Sequence, residues 1–373
     1  MGRSAAGLSG GFQGVVILRC GMVLDKSVRN KRFYREICLI LGGIVLGMAG
    51  IEGLVRLYFS VKMDYHIEMW KYATRLKRPS SDPGLSHEHV PGAEDVLMGV
   101  RVRINQYGMR GREYSREKPN GVYRILLVGD SIALGWGVSE ERTLSSLLEA
   151  RLNQNPPLYS ARTPSGVRTR FEVINAGVGN HNTTQELAHL RKNGLLFKPD
   201  LLLLLYFIND AEPVSMPVRN PLLWRSQAAV IVWSRLDTLL RKFGGRKDYV
   251  KHYRDIFAEG GAGRADSFRA LLEMNSLAKK TGSKFAMAFF PDLHTLVGYP
   301  LRSIHDLVGG FAQSRGIPFI DLLPVFEGVK EPMGLWVSAD DAHPNGRANR
   351  MAARGVLRGL VKTGLLGRGG VKR

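Results

Sequence analysis

Residues 123–131 read Tyr-Arg-Ile-Leu-Leu-Val-Gly-Asp-Ser. The apolar run 124–128 (RILLV), closed by Gly129-Asp130-Ser131, has the pattern of a buried strand that ends in a polar turn. Four more runs of similar length follow: 171–176 (FEVINA), 201–208 (LLLLLYFI), 284–290 (KFAMAFF) and 317–322 (IPFIDL). Between them lie stretches of helical period, including 144–152, 184–193 and 267–279. Buried strands alternating with helices predict a parallel sheet covered on both faces, with right-handed crossovers.

Ligands bind such sheets at the carboxyl ends of the strands. Strand one ends in Gly129-Asp130-Ser131, strand two in Asn175-Ala-Gly177-Val-Gly179-Asn180, and strand three in Asn209-Asp210. After the last strand comes Asp340-Asp341-Ala342-His343-Pro344-Asn345. A serine becomes a nucleophile when a base takes its proton and an acid fixes the tautomer of that base. Ser131, His343 and Asp340 suit those three roles, Asp340 reaching the imidazole across one turn, with Asp341 as a rival for the acid. Acyl transfer also needs donors for the developing oxyanion. The candidates are the backbone N–H of Ser131, a backbone N–H of Gly179 or Asn180, and the side-chain amide of Asn209.

The blocks Gly129-Asp130-Ser131, Asn209-Asp210 and Asp340-x-x-His343-Pro-Asn, in this order, resemble the GDSL/SGNH hydrolases. The resemblance covers about 123–360, and Asn105-Gln-Tyr-Gly-Met-Arg-Gly-Arg-Glu113 is similar to a lead-in of membrane-anchored bacterial members. It implies an α/β, three-layer, flavodoxin-like fold with a central parallel sheet. It further implies Ser131 as nucleophile, His343 as base, Asp340 as its partner, Asn209 as an oxyanion donor, and ester hydrolysis or acyl transfer without metal or cofactor. Two positions depart from the family pattern: Asn180 stands where a glycine is usual, and Phe207 stands two residues before Asn209 in another glycine's place.

Residues 37–51 (ICLILGGIVLGMAGI) carry no charge. At 1.5 Å per residue they reach about 22 Å, and the pattern extended to Phe59 reaches about 34 Å, enough for a bilayer. Glu52 and Arg56 share a helix face, and Tyr58 and Phe59 suit the interfacial aromatic belt. Residues 1–35 hold seven Lys/Arg against Asp25 alone, so the positive-inside rule keeps the N-terminus in the cytoplasm. The expected location is a bacterial inner membrane, crossed once, with the catalytic domain periplasmic or extracellular. A signal peptide cleaved near Gly47-Met48-Ala49 is the rival reading.

Of 373 residues, 53 are Lys/Arg and 33 Asp/Glu, a net charge of +20, and more than half of the excess sits at the two chain ends. No zinc-finger spacing, basic heptad region or RNA-binding aromatic motif accompanies it, so nucleic acid is not an expected partner. Cys20 and Cys38 are too few for a disulfide framework or a cysteine-rich zinc site.

The chain thus divides into a basic segment (1–35), an anchor (36–60), a polar connector with short strands such as 100–104 (61–122), a catalytic domain (123–362) and a basic tail (363–373). Within the domain, 213–265 is a helical insertion whose segment 222–243, with Trp224 and Trp233, is either an extra packed helix or a lid. His87 and His89 read as solvated connector residues rather than a metal pair, His189 as a helix-face residue, His181 as pocket-lining, and Asp292 and His294 as bordering the cleft. The function expected is a membrane-anchored serine esterase acting on acyl groups of an envelope glycan or lipid. The alternatives are an O-acyltransferase and a non-catalytic glycan-binding protein on the same fold.

Overall fold

The computed structural model describes residues 26–154, 159–160, 170–213, 221–243 and 248–368. The basic segment up to residue 25, with Cys20, and residues 369–373 of the basic tail lie outside them. The chain divides into two units, Met1–Leu54 and Val55–Arg373. In the first begins α1 (Lys26–Val61), the one helix among the described residues long and apolar enough to cross a membrane. Over Lys31–Val61 none of its apolar side chains is buried.

The second unit opens with α2 (Tyr65–Lys71), whose first turn is capped by the Asp64 carboxylate accepting from the His66 and Ile67 N–H groups. The helix then widens into a turn of i→i+5 pattern, Tyr72–Leu76. Strands β1 (Lys77–Pro79) and β2 (His87–His89) pair antiparallel, Lys77 opposite His89. Strands β3 (Glu94–Leu97) and β4 (Val100–Arg103) form a tight hairpin through Met98 and Gly99, both at positive φ, the two-residue turn that matches strand twist. The connector is therefore two hairpins behind a short helix.

The main sheet follows: β5 (Val122–Gly129), α3 (Ser131–Leu134), α4 (Leu144–Gln154), β6 (Tyr159–Ser160), β7 (Arg170–Gly177), α5 (Thr183–Lys192) and β8 (Leu201–Tyr206). Next come α6 (Pro221–Arg225), α7 (Gln227–Phe243), α8 (Tyr249–Ile256), α9 (Ala262–Lys280), β9 (Lys284–Phe289), α10 (Arg302–Ser314), β10 (Phe319–Asp321) and α11 (Leu323–Phe326). A short ribbon of β11 (Trp336–Ser338) and β12 (Asp341–Pro344), helix α12 (Gly346–Lys362) and β13 (Gly367–Arg368), which pairs with β6, complete it.

Five strands run parallel in the order β7-β5-β8-β9-β10. In chain order this is 2-1-3-4-5, the doubly wound flavodoxin-like arrangement. The chain reverses its winding direction after β7, so right-handed crossovers place α4 on one face and α5, α9 and α10 on the other. Contacts agree: α4 packs on β7 and α12, α5 packs on α9, and Phe268 of α9 stacks on Phe311 of α10. Every residue of β5 and β8 is buried, which is why both read as continuous apolar runs. The fifth strand starts at Phe319, two residues later than its apolar run, because Pro318 offers no N–H to a ladder. In the insertion, α7 packs against α2, and the Trp70 indole donates to the Leu223 carbonyl of α6 (2.9 Å).

Candidate active site

At the carboxyl end of β5, Gly129 passes so close to its neighbours that a Cβ there would lie 2.7 Å from Ala133 Cβ and 2.9 Å from the Leu205 carbonyl. Asp130 follows, fully buried, and caps α3 by accepting from the Ile132 N–H (2.8 Å). Burial raises its carboxyl above the usual range, against bonds from Ile132 and Asn209 that lower it. Ser131 is thereby fixed as the first residue of a short helix.

The loop after α3 is held from the lead-in. Asn105 folds that segment on itself, accepting from the Tyr107 and Met109 N–H groups. It presents the buried Arg110, whose N–H donates to the Asn175 carbonyl and whose guanidinium donates to the carbonyls of Leu134, Gly135 and Val138. The Asn175 amide donates to the Ala133 carbonyl (2.8 Å). The lead-in and Asn175 thus brace the Ser131 turn from one side.

Ser131 Oγ lies 2.9 Å from His343 Nε2. His343 Nδ1 lies 2.5 Å from Asp341 Oδ1, which also accepts the His343 backbone N–H (3.1 Å). The second Asp341 oxygen accepts from the Trp136 indole (2.8 Å). Burial pushes the Asp341 carboxyl up, but the bonds and charge of His343 outweigh it and hold it below the usual carboxylate range. With the carboxylate at Nδ1, the proton sits on Nδ1 and Nε2 is free to accept from Ser131.

The sequence reading placed Asp340 against His343, and the geometry corrects it to Asp341. Residues 341–344 form a strand, and in a strand residues two apart share a face, whereas the one-turn reach of Asp340 requires helical backbone. Asp340 is exposed in the preceding turn and accepts from Ser338 Oγ (3.1 Å).

Of the oxyanion candidates, Gly179 is corrected as well. Its N–H donates to Tyr72 Oη (2.9 Å), and a Cβ there would lie 2.7 Å from that ring. Asn180 stands in the left-handed region at φ +68°, which Asn tolerates better than most residues, and this is why it can replace glycine. Among the described residues neither the Asn180 nor the Ser131 N–H has an acceptor. Asn209 sits in a turn pinned by the Asp210 carboxylate accepting from the Phe207 N–H (3.0 Å), and donates one amide hydrogen to Asp130 (3.0 Å). Its second amide hydrogen is left for a ligand.

A cavity of about 350 Å³ opens beside Asn180 and Asn209, walled by Lys77 and His87 of the connector, Gln185 of α5 and Trp224 of α6. Of the two histidines read as solvated, His87 is half-buried and His89 is buried. His87 and His89 are held at both ring nitrogens by Ser86 Oγ and the Gly179 carbonyl, and by Gly108 O and Tyr72 Oη. Burial lowers each to about 3. His189 is buried too, near His181, which lines the cavity. Asp292 and His294 pair after β9 (2.9 Å), against Tyr249 and Trp336. The connector's part in the site is not signalled by the sequence, since Tyr72 and Lys77 belong to no motif and the pair His87 and His89 reads as solvated.

Fold and site together define a doubly wound α/β hydrolase of ester bonds. The chain belongs to the GDSL-like lipase/acylhydrolase family, whose profile matches residues 127–351, and is a carboxylic ester hydrolase of that family. Among solved structures, TesA is 18% identical over 64% of this chain and 99% of its own, with a TM-score of 0.41. The acetylxylan esterase Axe2 of Geobacillus stearothermophilus is 16% identical over 64% and 94%, TM-score 0.41. The lipase/acylhydrolase of Enterococcus faecalis is 18% identical over 66% and 98%, TM-score 0.39. No curated protein matches the chain.

Proposed function

We propose that the protein is a serine esterase anchored once in a bacterial inner membrane, with its catalytic domain outside the cytoplasm. The observation that carries the chemistry is the continuous relay Ser131 Oγ, His343 imidazole, Asp341 carboxylate. His343 Nε2 takes the hydroxyl proton as Ser131 Oγ bonds to the ester carbonyl carbon, and Asp341 stabilises the imidazolium. The tetrahedral oxyanion accepts from the Ser131 N–H, the Asn180 N–H and the free Asn209 amide hydrogen. Collapse breaks the bond to the alcohol oxygen, which receives the proton from His343. Water, deprotonated by the same nitrogen, then releases the acid. A sugar hydroxyl in place of that water makes the step an acyl transfer.

The anchor helix, with basic residues before its apolar span, supports the outward orientation and an ester of a cell-envelope glycan or lipid as substrate. The test uses the full chain in detergent with an aryl acetate and a fluorophosphonate. Turnover and labelling should both vanish in Ser131→Ala. Labelling that persists in that variant refutes Ser131 as nucleophile.

A further inference from the structure

Gly179 is held on each of its polar atoms by residues 92 to 107 positions earlier. Its N–H donates to Tyr72 Oη (2.9 Å), and its carbonyl accepts from Lys77 Nζ (3.0 Å) and lies 2.9 Å from His87 Nε2. Lys77 Nζ also donates to Asn180 Oδ1 (3.0 Å) and sits 4.3 Å from the centre of the Tyr72 ring. The clamp is itself fixed, with Tyr72 Oη 2.8 Å from His89 Nε2. Tyr72, Lys77 and His89 are 1, 9 and 2% exposed, and all three lie outside the family domain at 127–351.

Packing alone does not ask for these side chains. A buried amine and phenol each cost several kcal/mol unless partnered, and apolar residues would fill the space without that cost. Here the amine spends its protons on the two oxygens of one two-residue turn. The Gly179 carbonyl and the Asn180 N–H belong to one planar trans peptide, so they point in opposite directions. Bonds to that oxygen from Lys77 and His87 therefore aim the Asn180 N–H away from the connector and polarise it. Tyr72 at the same time removes the Gly179 N–H from competition. The turn adjoins the nucleophile, since β7 lies beside β5 with Gly177 opposite Gly129.

We propose that Tyr72 and Lys77 are positioning residues for acyl transfer: they lock the peptide between Gly179 and Asn180 so that the Asn180 N–H donates to the oxyanion formed on Ser131. This rests on the serine-esterase reading. The active site is then completed by the connector, and the family domain alone is not the catalytic unit.

The test compares wild type, Tyr72→Phe, Lys77→Met and Lys77→Arg as full chains in detergent. It measures kcat and KM on an aryl acetate, the inhibition constant of an aryl boronic acid and the thermal midpoint. The boronate adduct of a serine presents a tetrahedral oxygen to the same donors. One oxyanion donor is worth about 10²–10³ in kcat. Lys77→Met should lower kcat about 100-fold and Tyr72→Phe about tenfold, with KM within about threefold and boronate affinity falling in parallel. Lys77→Arg should recover part of the loss. Folded variants that keep wild-type kcat, or that lose KM while boronate affinity stays, overturn the proposal. Tyr72→Phe, which removes one oxygen atom, decides the matter if Lys77→Met does not fold. A wild type with neither turnover nor boronate binding overturns the esterase reading and this proposal together. An active wild type with unaffected variants overturns this proposal alone.

Discussion

Replacing Asp341 by Asn separates the two neighbouring aspartates by chemistry. Asp341 accepts three hydrogen bonds, from His343 Nδ1, the His343 backbone and the Trp136 indole, and is 4% exposed. An amide at that place can turn its NH₂ toward Nδ1. The imidazole then carries its proton on Nε2, where it can no longer accept from Ser131. Loss of the correct tautomer and of the charge facing the imidazolium costs about 10³–10⁴ in kcat, or roughly 4–5 kcal/mol of transition-state stabilisation. Asp340 is exposed and accepts from Ser338 Oγ, so Asp340→Asn should leave kcat within about twofold. The assay is steady-state hydrolysis of an aryl acetate by the full chain in detergent, with thermal melts to show that each variant is folded. A loss in Asp340→Asn equal to or larger than that in Asp341→Asn refutes the reasoning.

The connector histidines His87, half-buried, and His89, buried, should make the fold acid-labile. His87 and His89 are lowered to about 3 from an unfolded value near 6.5, so between those values the unfolded chain binds more protons. Their contribution is fully present above pH 6.5 and is lost as the pH falls toward 3. The melting midpoint should drop between pH 7 and pH 5, and a flat profile over that range counts against the buried, neutral state. Arg110→Met strips the donors from the carbonyls of Leu134, Gly135 and Val138 and should cost about 3–5 kcal/mol, read as a midpoint lowered by roughly 5–10 °C. A shift under 2 °C refutes the bracing role.

The central sheet was legible because its strands are buried on both faces and therefore read as short apolar runs between helical patterns. Ser131 and His343 were legible as candidates because Ser131 follows the first strand of the sheet and His343 lies in a polar stretch beyond the last, at the edge where doubly wound sheets bind ligands. The choice between Asp340 and Asp341 was not legible from spacing. It turns on whether 341–344 is a strand or a helical turn, and the ribbon pairing of Trp336 with Pro344 eight residues on makes it a strand. Gly179 failed as a donor for the same kind of reason, since its N–H is taken by Tyr72 and no local pattern announces a contact of that separation. The connector reads as polar and punctuated with Pro and Gly, yet His89 is buried and His87 half-buried, because composition reports an average and not which side chains meet.

The reach of these contacts bears on how the chain comes to be folded. Ser131 and His343 are 212 positions apart, and Lys77 and Asn180 are 103. Closure entropy grows only logarithmically, so the doubled loop costs about 0.6 kcal/mol more, a small addition beside the contacts it gathers. What such topology taxes is time, because each non-local closure must be made before the contacts it brings together repay it. Synthesis delivers Tyr72 and Lys77 well before the turn they hold and His343 last of all. On the proposed mechanism a nascent chain carries Ser131 long before His343 emerges, and the pair is complete only when the ribbon of β11 and β12 docks.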